Sequence, residues 1–297
     1  MHFAQTSPPP IFPASAAMSM AAHSTSTGQN VARTLVTAAA AGFGAWLLYR
    51  FWRLPAAPRS VRPGINDPFS ANSPQAASEF VGRFETESRE IFNLCPRVVQ
   101  QLNIKPGQRV ADLGAGTGLF MEPLAKAVSG SGSASASQGS ESGSAGAGSD
   151  SSNTQGHVYA LDPCARFVTH MSSRLAAWPD RALASRVSIS ANTDFELGDS
   201  IPSESLDWIL AIDTYHHLEY PSIILRDAWT KLRRGGRLAI LDFERIPGVS
   251  SEWVLGHVRA GREVVLQEIT EARFKLQGDL KESVGLKENY LMVFVKE

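Results

Sequence analysis

Cysteine is scarce: Cys95 and Cys164 are the only two. Two thiols cannot build a disulfide framework or a thiolate zinc site, so both are expected free, as suits a reducing compartment. Charge is scarce too. Asp, Glu, Lys and Arg make up 19% of residues and leave a formal net charge of −1, so the chain lacks the basic field that nucleic acid requires. No nucleic-acid partner is expected. Acidic residues are missing altogether before Asp67. With 43% hydrophobic residues, the remainder supports one large domain with polar tracts attached.

The tracts are legible in order. Residues 1–30 are rich in Pro, Ala and Ser without periodicity and read as a disordered leader. Residues 31–54 hold an uncharged core, Leu35 to Tyr49, flanked by Arg33, Arg50 and Arg53. With its arginines snorkelling, this segment is just long enough to span a bilayer, with Trp46, Tyr49 and Trp52 at one interface. More arginines follow it than precede it, so the positive-inside rule puts the body of the protein in the cytoplasm on a membrane anchor. An acid-free leader equally describes an organelle transit peptide, and a short alanine-rich core a cleaved signal peptide. Residues 55–74 read as a Pro-rich linker and 75–297 as the main domain. Within that domain 129–155 is nearly all Ser, Gly and Ala, a low-complexity insertion.

The organising stretch is Val110 to Phe120. A strand, Arg109 to Leu113, runs into glycines at 114, 116 and 118, and a helix is expected to open at Gly118. Such glycines let the backbone turn sharply and approach a ligand closely, with free N–H groups at the helix start. Leu119 stands where a dinucleotide fingerprint needs its third glycine, which counts against an NAD-linked oxidoreductase. Asp112 ends the strand instead. A carboxylate there repels a pyrophosphate and suits a cationic ligand. Further on, strand His157 to Leu161 closes with Asp162-Pro163. Once the low-complexity tract is removed, Asp162 falls about 20 residues past the glycines, the place of an acid that takes ribose hydroxyls. Pro163 fits the first turn of the next helix.

The pattern D-x-G-x-G-x-G at Asp112 to Gly118 resembles motif I of class I S-adenosylmethionine (SAM) dependent methyltransferases. The block DTYHHLEYP…LRRGGRLAILDF, from Asp213 to Phe243, resembles the second half of type 11 methyltransferase domains. The resemblance implies that Gly114, Ala115, Gly116 and Gly118 cradle SAM and that Asp112 lies near its ammonium and sulfonium end. It implies further that Asp194 contacts the adenine amino group and that Asp213, at the end of the fourth strand, belongs to the cofactor set. It also implies a Rossmann-like α/β doubly wound fold, with a mostly parallel seven-stranded sheet whose last strand is antiparallel and lies beside the fifth.

The expected activity is methyl transfer to a small-molecule or lipid-like acceptor. Acceptor-side candidates are Tyr215, His216, His217, Glu244 and His257. Adjacent His216 and His217 cannot both enter one pocket from a regular element, so at most one histidine of the set is expected to remove a proton. No metal site is expected, for want of a clear third ligand. The other classes left open are a SAM-binding protein without catalysis and the NAD-linked oxidoreductase.

Overall fold

The computed structural model describes residues 59–70, 77–86, 89–130 and 155–297. The segments expected as leader and anchor, 1–30 and 31–54, lie outside them. Among the described residues no helix is long and apolar enough to cross a membrane.

Seven strands make one sheet: β1 Arg109–Leu113, β2 His157–Leu161, β3 Val187–Ser190, β4 Leu206–Ile212, β5 Leu232–Phe243, β6 Lys275–Asp279 and β7 Asn289–Val295. Their order is β3-β2-β1-β4-β5-β7-β6. β1 pairs in parallel with β2 and with β4, whereas β7 is antiparallel to both β5 and β6. The central strands are nearly continuous apolar runs because both faces are covered. Val110, Leu124, Met171 and Leu210 belong to one core cluster, and Leu161, Ile209, Ile224 and Phe294 to the other. From β1 the chain winds outward to β2 and β3, then returns to β4 and β5 on the other side. A crevice therefore opens over the carboxyl ends of β1 and β4, where open α/β sheets hold ligands.

Two helices precede β1, α1 Ala77–Phe84 and α2 Glu90–Leu102, the second carrying Pro96 in its interior. α3 Met121–Ser129 starts a turn after Gly118, since Gly116 and Gly118 both hold left-handed φ. Around the rest of the sheet pack α4 Ala165–Ala176, α5 Arg181–Ala184, α6 Pro221–Lys231 and α9 Lys281–Val284. After β5 the helical stretch has a break, with α7 Glu252–His257 before it and α8 Arg262–Glu271 after it. Arg245 causes the break in part, because its guanidinium takes the carbonyls of Leu255 and Val258 at 2.9 Å each.

Part of the stretch expected as a linker is instead packed on the sheet's carboxyl edge. Val61 N–H donates to Glu219 O at 2.9 Å, Ile65 is buried, and Asp67–Phe69 forms a 3₁₀ turn. Phe69 supplies the reason, stacking with Phe80 of α1 and Phe167 of α4 at 5.2 and 5.9 Å. At the opposite edge, the stubs of the low-complexity tract meet. A Cβ on Gly156 would lie 2.3 Å from Val128 O.

Candidate functional site

Two cavities share the crevice. The first, about 370 Å³, is lined by Gly114, Gly116, Asp162, Pro163, Asn192, Asp194 and Asp213, with Phe69 and Phe84 as its cover. The second, about 480 Å³, takes in Asp112, Ala115, Arg89, His216, His217 and His257, with Phe80, Phe84, Phe243 and Trp253 as apolar wall. Gly114, Gly116, Asp213, Thr214 and His217 line both, so the two spaces meet over the glycine turn.

The three glycines do different work. A Cβ at Gly114 would fall 2.3 Å from Thr214 Cγ2, and one at Gly118 2.5 Å from Met121 Cε. Those two are demanded by packing. At Gly116 (φ 56°) a Cβ would meet only Phe84, at 4.0 Å, and would project into the cavities. Gly116 is thus the glycine that faces a ligand. Gly118, expected in the cofactor set, lines neither cavity.

Each acid at the edge is held differently. Asp162 accepts from the N–H of Gly116 at 2.9 Å and of Cys164 at 2.8 Å, one on each oxygen, which fixes its carboxylate toward the first cavity. Burial pushes its pKa up to about 6, against the pull of those two N–H groups. Asp112 is raised to about 7 by burial and by the negative charge of Asp162. Asp213, also raised to about 7 by burial, is ion-paired with Arg89 and accepts from Asn289 Nδ2 at 2.6 Å. Its φ of 48° is the left-handed region, which aspartate tolerates better than most residues. Asp194 lines the first cavity, and burial raises its pKa.

The histidines converge. Tyr215–His217 is a 3₁₀ turn, and its tighter winding lets His216 and His217 both reach the second cavity with ring centroids 4.3 Å apart. This corrects the expectation that only one could. His257 closes the group from α7, its Nε2 3.4 Å from His217 Nε2. One nitrogen from each ring lies within 4.8 Å of the others. Nδ1 of His216 faces Asp242 Oδ1 at 2.7 Å, both side chains being buried. Burial, with its neighbours His216 and His257, holds His217 neutral, its pKa lowered to about 2. Burial lowers His257 as well.

Two acceptor-side candidates fall away. Tyr215 is buried with its hydroxyl donating to Glu268 at 2.8 Å, and burial raises its pKa. Glu244 is ion-paired with Lys281 at 3.0 Å; neither Tyr215 nor Glu244 lines the crevice. Conversely, Asn66, Arg89, Asn192 and Asp242 carry no motif and escape sequence reading. Asp242 alone left a trace, as a charge directly after the apolar run Leu238 to Leu241.

The cavities suit SAM. Asn192 Oδ1 is buried without a hydrogen-bond partner beside the first cavity, an acceptor suited to an exocyclic amino group. The anionic edge suits a sulfonium and an ammonium.

Residues 141–240, about a third of the chain, match the family described as Methyltransferase domain, Methyltransf_11. That match runs through β5 as far as Ile240 and leaves out the glycine turn. No curated protein matches the sequence. Among solved structures, a SAM-dependent methyltransferase from Aquifex aeolicus is similar at 16% identity, with a TM-score of 0.53 over 74% of this chain and 97% of that chain. The cyclase SpnF is similar at 13% identity and TM-score 0.53, over 82% and 98%. So is the complex of the Haloferax volcanii Trm112 methyltransferase activator with a putative methyltransferase, at 13% and 0.52, over 80% and 99%. At such identities the likeness is one of fold. Over residues 141–240 the chain resembles a methyltransferase domain, and the solved structures share its doubly wound fold.

Proposed function

We propose that the protein transfers the methyl group of SAM to a nucleophilic atom of a small, largely apolar acceptor held in the second cavity. The observation that carries this reading is the meeting of two cavities over Gly116, one polar and acid-lined, the other walled by aromatic rings. In the first, Asp162 takes the ribose hydroxyls, while Asn192 and Asp194 take the adenine amino group. Asp112 balances the cationic methionyl end, which puts the sulfonium methyl at the junction. An acceptor entering past Phe243 and Trp253 then stands in line behind the methyl. Transfer needs little covalent help: position, exclusion of water, and ionisation of the acceptor suffice. The histidine cluster is the group placed to favour that ionised form.

A lipid-like acceptor is the specific class favoured. Ile246 and Val249 are exposed on the segment leading into α7, and Trp253 of α7 is exposed and lines the second cavity, an apolar approach rather than a charged one. A tether at 31–54 would keep such an enzyme beside its substrate. The likeness to a cyclase favours a second reading, in which this fold binds SAM and does other chemistry on the acceptor. Radiolabelled-methyl transfer from SAM into a lipid extract tests both. Label entering an organic-soluble product with S-adenosylhomocysteine formed in equal amount supports transfer. SAM binding without S-adenosylhomocysteine from any extract favours the second reading.

A further inference from the structure

We propose that His216, His217 and His257 bind one divalent transition-metal ion of the zinc class, with an open coordination position facing the second cavity. This deepens the methyl-transfer reading and rests on it for the ion's role, though not for its binding.

The tautomers carry the argument. Asp242 accepts from the backbone N–H of His216 at 2.9 Å through Oδ2, and its Oδ1 lies 2.7 Å from His216 Nδ1. A carboxylate there fixes the proton on Nδ1 and leaves Nε2 with its lone pair. Asn66 does the same for His217. Its Nδ2 donates to His217 O at 3.1 Å, which orients the amide so that Oδ1 accepts from His217 Nδ1 at 3.2 Å. Both neighbouring rings thus present an unprotonated Nε2 to the same space. His257 brings a third nitrogen, with Trp253 stacked on its ring at 4.7 Å and 20°. Two of the three imidazoles are therefore oriented through Nδ1 by a hydrogen-bonding partner, as is the rule for metal-binding histidines, and the third by ring stacking.

Distances agree. Tetrahedral coordination at about 2.0–2.1 Å puts neighbouring ligand nitrogens about 3.3–3.4 Å apart. The Nε2 atoms of His217 and His257 are 3.4 Å apart, and the whole set lies within 4.8 Å. Three neutral imidazoles without thiolate or carboxylate select zinc, cobalt, nickel or ferrous ions over magnesium or calcium. Arg62, bonded to Gly256 O at 2.7 Å, brings one opposing charge on the outer side, and Asp242 offsets it from the inner side.

Three protein ligands leave a fourth position, and the cavity lies against it. An acceptor hydroxyl or thiol occupying that position loses its proton to solvent on coordination. Its lone pair then forms the bond to the methyl carbon as the carbon–sulfur bond breaks, the electrons returning to sulfur. The products are a methyl ether or thioether and S-adenosylhomocysteine.

The test uses the full chain, stripped with chelator and titrated with Co(II) and then Zn(II). Expected are one Co(II) per chain with the strong visible bands of a four-coordinate ion, and their loss when Zn(II) displaces it. His257→Ala, on the partly exposed α7, should bind Co(II) at least a hundredfold more weakly while keeping the wild-type circular dichroism. Asn66→Ala should weaken binding by about 10–100-fold, the usual effect of removing a group that orients a ligand. Binding by wild type no tighter than by a variant with all three histidines replaced by alanine overturns the proposal. So does binding unchanged in His257→Ala. Calorimetry with SAM on the metal-free protein separates the two claims: failure to bind SAM strikes the methyl-transfer reading and leaves the metal result standing.

Discussion

Arg89, at the entrance to α2, is ion-paired with Asp213 at the end of β4, and its guanidinium lies over the rings of Phe84 and Phe243 at 5.4 and 5.9 Å. One side chain thereby fastens the helical cover to the edge where both cavities meet. Arg89→Met removes the cationic partner of the buried Asp213 carboxylate. Breaking a buried pair from one side costs up to about 3–5 kcal/mol. Asp213 is already raised to about 7, and without Arg89 it rises further, so it can escape part of the cost by taking a proton. The variant's loss of melting temperature should therefore be greater at about pH 8 than at about pH 6. Equal losses at both would mean that the pair contributes only packing.

SAM affinity should climb with pH. Asp112 and Asp162, raised to about 7 and about 6, must be ionised to meet a cationic ligand. Binding measured by calorimetry should weaken about tenfold from pH 8 to pH 6. Asp112→Asn should bind more weakly at pH 8 and show a flatter profile. A wild-type profile without slope would place the cationic end of SAM away from Asp112.

Gly116→Val should abolish detectable SAM binding while the fold persists. The strain of a left-handed valine is about 1–2 kcal/mol, small beside the loss of the space that its side chain fills. Asp162→Ala should also bind poorly, losing charged hydrogen bonds worth roughly 1.5–3 kcal/mol. It removes the acceptor of two backbone N–H groups as well, so its melting temperature should fall further than that of Gly116→Val.

Replacing 131–154 with a short turn should leave SAM binding unchanged. The stubs meet at Val128 and Gly156, on the edge away from the crevice, and closure entropy changes by only about 0.6 kcal/mol per halving of loop length. A tenfold loss of SAM affinity in that variant would mean that the tract reaches the carboxyl edge.

Much of this was legible because it is periodic or local. The apolar runs of β1, β4 and β7, the glycine turn, and Asp162 at its corrected spacing all stand out along the chain. The histidine cluster was only half legible. The sequence placed His216, His217 and His257 near one edge, but their convergence depends on a 3₁₀ turn and on a helix that ends at His257 instead of continuing. The break in turn depends on Arg245, which acts through backbone carbonyls without a sequence pattern. The packed segment 59–70 was hidden for a similar reason: prolines and a glycine read as linker, and only Phe69 finding Phe80 and Phe167 makes it part of the body.

Asp112, Asp162 and Asp213, buried at one edge with raised pKa values, make the empty protein least comfortable at neutral pH. The folded state holds these protons more tightly than the unfolded chain, so their stabilising contribution is complete below about pH 3.8 and lost as pH rises through 6 to 7. Cofactor supplies the positive charge that the edge lacks, and mass action adds about 2.7 kcal/mol at a hundred times its dissociation constant. Turnover of this chain in a protease-bearing compartment would then follow the methyl-donor supply.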